Sequence, residues 1–154
     1  MKKTILFFLG LVCSFQIMAQ SEDQYLGMVR DIIQSEKKAV IAEEVEFTDA
    51  ESAPFWALYD EYEAKSYVIH DKRIAIIKEF AVNYENLTDE KADEIYTDAL
   101  NFQKELLKLK TTYYKKFKKI VPAGKAALFM QIENKIEALI NAELALELPL
   151  IETN

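Results

Sequence analysis

Residues that break or turn a polypeptide chain are scarce in this sequence, which has three glycines and three prolines in 154 residues. Glycine and proline are the strongest local breakers of regular structure, so their scarcity predicts long helices joined by few loops. The remaining start and stop signals lie in three short stretches: "FTDAE" from Phe47, "NLTDEKA" from Asn86 and "VPAGKA" from Val121. The sequence therefore predicts an all-α fold of about four helices.

Threonine marks the predicted start of two of these helices. Thr48 is followed three residues later by Glu51, which is the spacing of a capping box. Thr88 can cap the next helix, and the acidic residues that follow it favour the positive end of the helix dipole. Pro122 and Gly124 end one helix and open another.

Each segment between these signals carries an apolar stripe with steps of three or four residues, which predicts one buried helix face. The segments run from Asp23 to Glu46, Asp49 to Val82, Asp89 to Ile120 and Gly124 to Leu146. In the second, Pro54 either bends the first turn or makes the helix begin nearer Ser52. The stripes are Leu26, Val29, Ile33 and Val40; Phe55, Tyr59, Tyr62, Ile69, Ile76, Phe80 and Tyr84; Ile95, Ala99, Phe102, Leu106, Leu109, Tyr113, Phe117 and Ile120; and Phe129, Ile132, Ile136, Leu139 and Ile140.

The predicted helices are long for a chain of this size. A helix of about 30 residues reaches roughly 45 Å at 1.5 Å per residue. We therefore expect a long, elongated helical hairpin, too thin to bury every helix face by itself. A homodimer would cover the remainder.

The first twenty residues, "MKKTILFFLGLVCSFQIMAQ", resemble a secretory signal: a basic start, an apolar stretch and a small residue, Ala19, at a cleavage position. We interpret residues 1–19 as a cleaved signal peptide and residues 20–154 as a single helical domain of an exported protein, with 20–46 as its N-terminal helix. A retained anchor is the alternative, but the apolar stretch is shorter than the roughly 20 residues of a membrane span. Lipid attachment at Cys13 is a third, although Val12 stands where a small residue is needed. Cleavage removes the only cysteine, so disulfides are not expected.

Residues suited to catalysis or metal binding are few. His70 is the single histidine, and its neighbour Asp71 does not face it on a helix, so the pair is not a catalytic dyad. A zinc site needs histidine and cysteine at set spacings, and the acids Glu43, Glu44 and Glu46 lack the loop of a calcium site. We expect no enzyme activity, no cofactor and no metal. The formal net charge of −7 argues against nucleic acid as a partner.

A run from Leu106 to Ile132 contains lysines and tyrosines but no acidic residue. At 100° per residue, four lysines of the third segment fall on one side, roughly opposite its apolar stripe. We call them the basic edge: Lys104, Lys108, Lys115 and Lys119. Between the edge and the stripe lies a second, partly apolar row: Tyr96, Leu100, Leu107, Tyr114 and Val121.

Two interpretations of these rows stay open. In the first, the apolar row is core or dimer contact and the lysines are ordinary solvated charges. In the second, row and edge form one exposed amphiphilic surface, with Lys104, Lys108, Lys115, Lys119, Leu107 and Tyr114 as the binding residues. Such a surface suits unfolded polypeptide, which offers both acidic and apolar groups.

The two helix starts resemble the paired LTxxQ motifs of the Spy/CpxP family of periplasmic proteins. Phe47 and Thr48 in "FTDAE", and Leu87 and Thr88 in "LTDEK", occupy the motif positions. Phe47 replaces the motif leucine, and Glu51 and Lys91 stand where the family has glutamine. Also similar to Spy-like proteins of the Bacteroidetes type are "FWALYDEYEAK" from Phe55 and "YKKFKKIVPAGKAALFMQIENKI" from Tyr114. The likeness covers about Glu46 to Leu144.

The resemblance implies a thin, curved, antiparallel homodimer with a basic, partly apolar concave surface. It also implies an ATP-independent chaperone for unfolded or partly folded envelope proteins, or a regulatory envelope-stress protein that docks on one sensor kinase or anti-sigma factor. A purely structural envelope protein is a third possibility. Some relatives bind zinc, but the single histidine argues against it here. No small-molecule substrate and no stable membrane insertion after signal cleavage are expected.

Overall fold

A computed structural model describes residues 35–151, and every regular element within that range is helical. Helix α1 covers residues 35–44 of the described part. It is followed by α2 (Asp49–Asn83), a short 3₁₀ turn (Tyr84–Asn86), α3 (Asp89–Phe117) and α4 (Ala123–Glu147). The all-α prediction is confirmed, and α2, α3 and α4 begin at or next to the predicted residues.

The described residues belong to two compact units, which divide between Glu44 and Val45. Within α1, Ile41 is buried whereas Val40 is 42% exposed. The prediction that Val40 lies on the buried stripe was therefore wrong by one position, or about 100° of helix rotation. Leu26, Val29, Ile33 and the predicted signal peptide 1–19 lie outside the described residues.

Side chains at two helix starts satisfy backbone groups that would otherwise lack partners. The backbone N–H of Thr48 donates to Oε2 of Glu51 at 2.9 Å, which is the reciprocal half of the predicted capping box. Oγ1 of Thr88 accepts from the backbone N–H of Lys91 at 3.2 Å. Lys125 of α4 donates to the same Oε2 of Glu51 at 2.7 Å, so the start of α2 is also tied to the first turn of α4.

Prolines bear on the start of α2 and on the end of α3. For the start of α2 the sequence left two alternatives, and for the end of α3 it predicted the wrong residue. Pro54 lies inside α2, which begins at Asp49, so the alternative start near Ser52 was wrong. Helix α3 ends at Phe117, not at Ile120. The residue before Pro122 is restricted from helical backbone angles, and residues 118–120 instead form a turn with shorter-range hydrogen bonds.

Helices α2 and α3 contact each other with opposite chain directions. Phe55 packs on Phe117 with ring centroids 5.0 Å apart, and further along α2, His70 packs on Phe102 at 5.7 Å. Beyond them, Lys91 near the start of α3 forms an ion pair with Glu79. Helix α4 in turn runs opposite to α3.

The core is centred on an aromatic cluster shared by α2, α3 and α4. Phe129 of α4 lies 4.7 Å from Phe117 and 5.4 Å from Phe55, ring centre to ring centre. Tyr62 also packs on Phe129, and its hydroxyl donates to Oε2 of the buried Glu133 at 3.3 Å. This buried carboxylate was not predicted, because Glu133 stands beside the apolar stripe of α4 in the sequence.

Most of the predicted stripe residues are buried or half-buried, and Leu139 is the exception in α4. Its side chain is 69% exposed, so the prediction that it belongs to the core was wrong. The apolar side chains of α4 are spread around nearly its whole circumference, so their spacing does not indicate which face is buried.

Candidate functional site

All four lysines of the basic edge are exposed. Among residues 35–151, none of the four has a carboxylate within ion-pair distance. Other lysines of the same region do have such partners: Lys110 pairs with Glu137, and Lys116 pairs with Glu61 at 3.1 Å. The edge is therefore a row of unneutralised cations on a chain whose total charge is negative.

Three of the four lysines share one side of α3, as the wheel predicted, but Lys119 lies beyond the end of the helix at Phe117. The backbone there continues as a tight turn in which the Lys119 N–H bonds to the Lys116 carbonyl at 3.0 Å. The position of Lys119 is thus fixed by this turn, whereas helical periodicity places Lys115.

The edge differs in charge along its length. Lys104 and Lys108 border a cavity of about 550 Å³ between α2 and α3. Three carboxylates line the same cavity, namely Glu79, Asp98 and Glu105, and Lys72 donates to Glu105 Oε2 at 2.6 Å. Positive and negative groups are therefore mixed at this end. The excess of positive charge lies toward the C-terminal end of α3.

The partly apolar row is largely at the surface. Leu107 is 66% exposed and Tyr96 is 63% exposed, while Tyr114 is half-buried. Val121, in contrast, is buried, which agrees for this residue with the interpretation of the row as core. It follows the turn that ends α3 and faces the interior.

Lys118 is a further cation of this surface that the sequence reasoning left out. Its amine lies 4.8 Å from the ring centre of Tyr114, a cation–π contact. Among the described residues it has no carboxylate partner. The signal was present in the sequence, since Tyr114 and Lys118 are four residues apart and so share a helix face.

Glu61 on α2 explains why Lys116 does not belong to the basic edge. Its carboxylate accepts hydrogen bonds from the Tyr113 hydroxyl at 2.6 Å, from Lys116 at 3.1 Å and from Lys65 at 3.2 Å. These donors lower the pKa of Glu61 to about 2, and the Tyr113 hydroxyl has the largest effect. The carboxylate is thus held ionised between two lysines and a tyrosine.

The four motif residues lie at helix starts, where their visible roles are structural. Thr48 and Thr88 are the N-caps of α2 and α3. Phe47 packs on Phe55 with ring centroids 4.2 Å apart, and Leu87 is half-buried. These contacts fix where the helices begin.

Residues 35–151 contain no group of three histidine, cysteine or acidic side chains that could hold a metal ion. No helix in the same range is long and apolar enough to cross a membrane. His70 is half-buried and packs on Phe102.

Comparisons with family models, with curated proteins and with solved structures find no match to this chain. The described residues form an all-α fold that exposes a lysine-rich, partly apolar helix surface.

Proposed function

We propose that this protein is a periplasmic, ATP-independent, chaperone-like protein that binds unfolded or acidic envelope proteins on the basic edge and the exposed row beside it. The observation that carries the proposal is the absence, among residues 35–151, of any carboxylate partner for Lys104, Lys108, Lys115 and Lys119. Leu107 and Tyr114 lie beside these cations and supply apolar contact.

The chemistry of this surface suits weak binding of many sequences. Exposed ammonium groups attract acidic segments over about a Debye length, roughly 8–10 Å at moderate salt, and each contact is individually weak. Exposed Leu107 removes some apolar area of a bound polypeptide from water without requiring a shaped partner. The acidic remainder of the chain keeps the protein soluble.

The proposal includes the shape implied by the Spy/CpxP resemblance: an elongated, curved helical hairpin that pairs as an antiparallel homodimer. Helix α2 has 35 residues, so it extends roughly 50 Å at 1.5 Å per residue. Exposed apolar side chains on α4, Leu139 and Leu146, favour a second copy as their cover. The basic surfaces of the two copies would then form one larger binding face.

The proposal is tested with light scattering of aggregating proteins. A denatured acidic protein and a denatured basic protein are each diluted into buffer without ATP, with and without this protein, at low and high salt. We expect suppression of aggregation for both, stronger for the acidic one, and weaker at high salt because exposed charges are screened.

Two outcomes would contradict the proposal. One is no suppression at several-fold molar excess, which would favour a regulator that docks on one envelope sensor or anti-sigma factor. The other is suppression that is independent of salt and of the charge of the denatured protein, which would remove the basic edge from the mechanism.

A further inference from the structure

A second cavity, of about 470 Å³, lies among α2, α3 and α4. Its volume falls within the roughly 300–1,000 Å³ of small-molecule sites. It is separate from the basic edge, which lies on another side of α3. Most of its wall is aliphatic or aromatic, including Ile77, Phe80, Ile95, Leu144 and Leu148.

The polar groups of this cavity are collected at one end. On α2, Arg73 precedes all the apolar lining residues; on α3, Gln103 follows them; on α4, Glu137 and Asn141 precede them. Because α3 runs opposite to α2 and α4, these polar residues lie at the same end of the cavity. The contact between Arg73 Nη1 and Asn141 Oδ1, at 2.9 Å, joins α2 to α4 at this end.

The apolar end lies further along α2 and α4, toward Phe80 and Leu148. The hydroxyl of Tyr84, just past the end of α2, donates to the carbonyl oxygen of Leu150 at 3.3 Å. Phe80 packs on Tyr84 with ring centroids 5.4 Å apart. The cavity is thus an elongated apolar space with one charged end.

Arg73 is the cation at the charged end that forms no ion pair among the described residues. It is half-buried, its guanidinium carbon lies 5.4 Å from the ring centre of Phe102, and its hydrogen bond goes to a neutral amide. Among residues 35–151, no carboxylate lies within ion-pair distance of it. A guanidinium has five N–H donors in a planar fork that matches a carboxylate. Partial burial lowers the pKa of Arg73, and the charge of Glu137 opposes that change.

Glu137 lines the same end and would repel an anion if it were unpaired. It forms an ion pair with Lys110, whose amine also donates to Asn134 Oδ1 at 2.9 Å. This pairing offsets the charge of Glu137, and the charges of Arg73, Glu137 and Lys110 sum to one positive charge.

We propose that this cavity binds a single acyl chain that ends in a carboxylate, a free fatty acid, with the carboxylate on Arg73 and the chain among Ile77, Phe80, Ile95, Leu144 and Leu148. The ligand supplies the anion that Arg73 lacks and fills the apolar space. This site is independent of the proposed binding of unfolded proteins, and it adds a small-molecule ligand that the sequence alone did not suggest.

Binding is measured by titrating the purified protein, after removal of carried-over lipid, with octanoate, decanoate and dodecanoate below their micellar concentrations. Burial of each CH₂ should tighten binding by about fourfold until the cavity is full. Dodecanol tests the head group at equal chain length. Dodecanoate should bind roughly tenfold to a hundredfold more tightly than dodecanol, the range expected for hydrogen bonds to a charged group.

The variant Arg73→Met removes the charge but keeps much of the side-chain length. It should reduce dodecanoate affinity to that of dodecanol and leave dodecanol affinity unchanged. Lys135→Met is the matched control, since Lys135 is an exposed lysine on the far side of α4, and it should bind like the wild type. Ala99→Phe fills the cavity without changing charge and should weaken both ligands, whereas Ala64→Phe, at an exposed position of α2, should weaken neither.

Four results would overturn the inference. Dodecanol that binds as tightly as dodecanoate, or an Arg73→Met change that weakens both ligands equally, would leave the guanidinium without a role in recognising the carboxylate. Dodecyl phosphate that binds much more tightly than dodecanoate would assign the site to a phosphate-headed lipid. No binding of any ligand, with sedimentation that changes with concentration only in the wild type and not in Ala99→Phe, would make the cavity a contact between two copies. Because Arg73 lies outside the basic edge, suppression of aggregation should be unchanged in Arg73→Met, and the two proposals can fail separately.

Discussion

The hydroxyl of Tyr113 on α3 donates to Oε1 of Glu61 on α2 at 2.6 Å, and this bond joins the buried face of α3 to a carboxylate at the surface. Tyr113 is almost completely buried, whereas Glu61 is exposed. Two lysines, Lys65 and Lys116, donate to the same oxygen of Glu61. One carboxylate therefore links α2 to α3 and neutralises cations next to the basic edge.

We predict that Glu61→Gln lowers the free energy of unfolding at neutral pH and not in strong acid. The native pKa of Glu61 is about 2, below its ordinary value of 4.5, so the ionised form stabilises the folded state at pH values above 4.5. That contribution falls as the pH drops from 4.5 toward 2 and is lost below the native pKa. Urea unfolding of wild type and variant at several pH values measures the difference. Glu143→Gln, the same change at an exposed carboxylate with no ion-pair partner among residues 35–151, is the control. A wild-type-to-variant difference that stays constant down to pH 2 would contradict the assignment.

We predict that Phe117→Ala destabilises the fold by about 3–5 kcal/mol, the usual cost of removing a buried aromatic ring. Phe117 has no exposed surface and packs on Phe55, Tyr62 and Phe129 from the two neighbouring helices. Tyr96→Ala on the same helix removes an exposed ring and should change the stability by less than about 0.5 kcal/mol. Denaturant unfolding followed by circular dichroism measures both. Similar losses for the two variants would mean that the aromatic cluster is not the centre of the core.

We predict that Thr88→Ala lowers the stability by about 1 kcal/mol, because the Lys91 N–H loses its hydrogen-bond acceptor at the start of α3. Thr88→Ser keeps the hydroxyl and should retain most of the stability. The midpoint of thermal unfolding distinguishes them. Equal midpoints for Ala and Ser would show that the hydroxyl does not contribute as a cap.

The helix starts and the buried stripe of α3 could be predicted because their causes are local. A threonine cap acts on a backbone N–H three residues away, and a heptad pattern acts through one helix face. The end of α3 was predicted three residues too late, because the apolar pattern continues to Ile120 while Pro122 ends the helix earlier. The buried face of α4 was ambiguous, because its apolar side chains lie on nearly all sides of the helix.

The sequence predicts which lysines share a helix face, but it does not predict which of them form ion pairs. Lys108 and Lys110 look alike in the lysine-rich run, yet Lys110 pairs with Glu137, 27 residues away, and Lys108 has no such partner among the described residues. Which lysines stay unneutralised depends on the neighbouring helices. The same holds for Arg73, whose position at the end of a cavity depends on the packing of three helices.

We predict that replacing Lys104, Lys108, Lys115 and Lys119 by glutamate abolishes suppression of aggregation and leaves the helix content unchanged. The four side chains are exposed and have no carboxylate partner among residues 35–151, so their reversal breaks no ion pair there. Light scattering and circular dichroism measure the two properties. Retained suppression would exclude the basic edge as the binding surface.

Two double variants test the two ends of the basic edge separately, and each is the control for the other. Lys115→Glu with Lys119→Glu should reduce suppression more than Lys104→Glu with Lys108→Glu. Both change the same number of charges, but Lys104 and Lys108 border a cavity that also contains Asp98 and Glu105. Equal losses would mean that the total charge of the protein matters and the local surface does not.

We predict that Leu107→Ser weakens suppression at high salt, where screening leaves apolar contact as the main attraction. Leu107 is 66% exposed beside the basic edge, and Leu139, at 69%, is an almost equally exposed leucine on α4. Leu139→Ser is therefore the matched control: it removes the same side chain at nearly the same exposure but away from the proposed binding surface. If the homodimer uses the exposed face of α4, Leu139→Ser should instead reduce the sedimentation coefficient at low protein concentration. Equal loss of suppression for the two variants, with unchanged sedimentation, would show that any exposed leucine serves and that the row on α3 has no special part in binding.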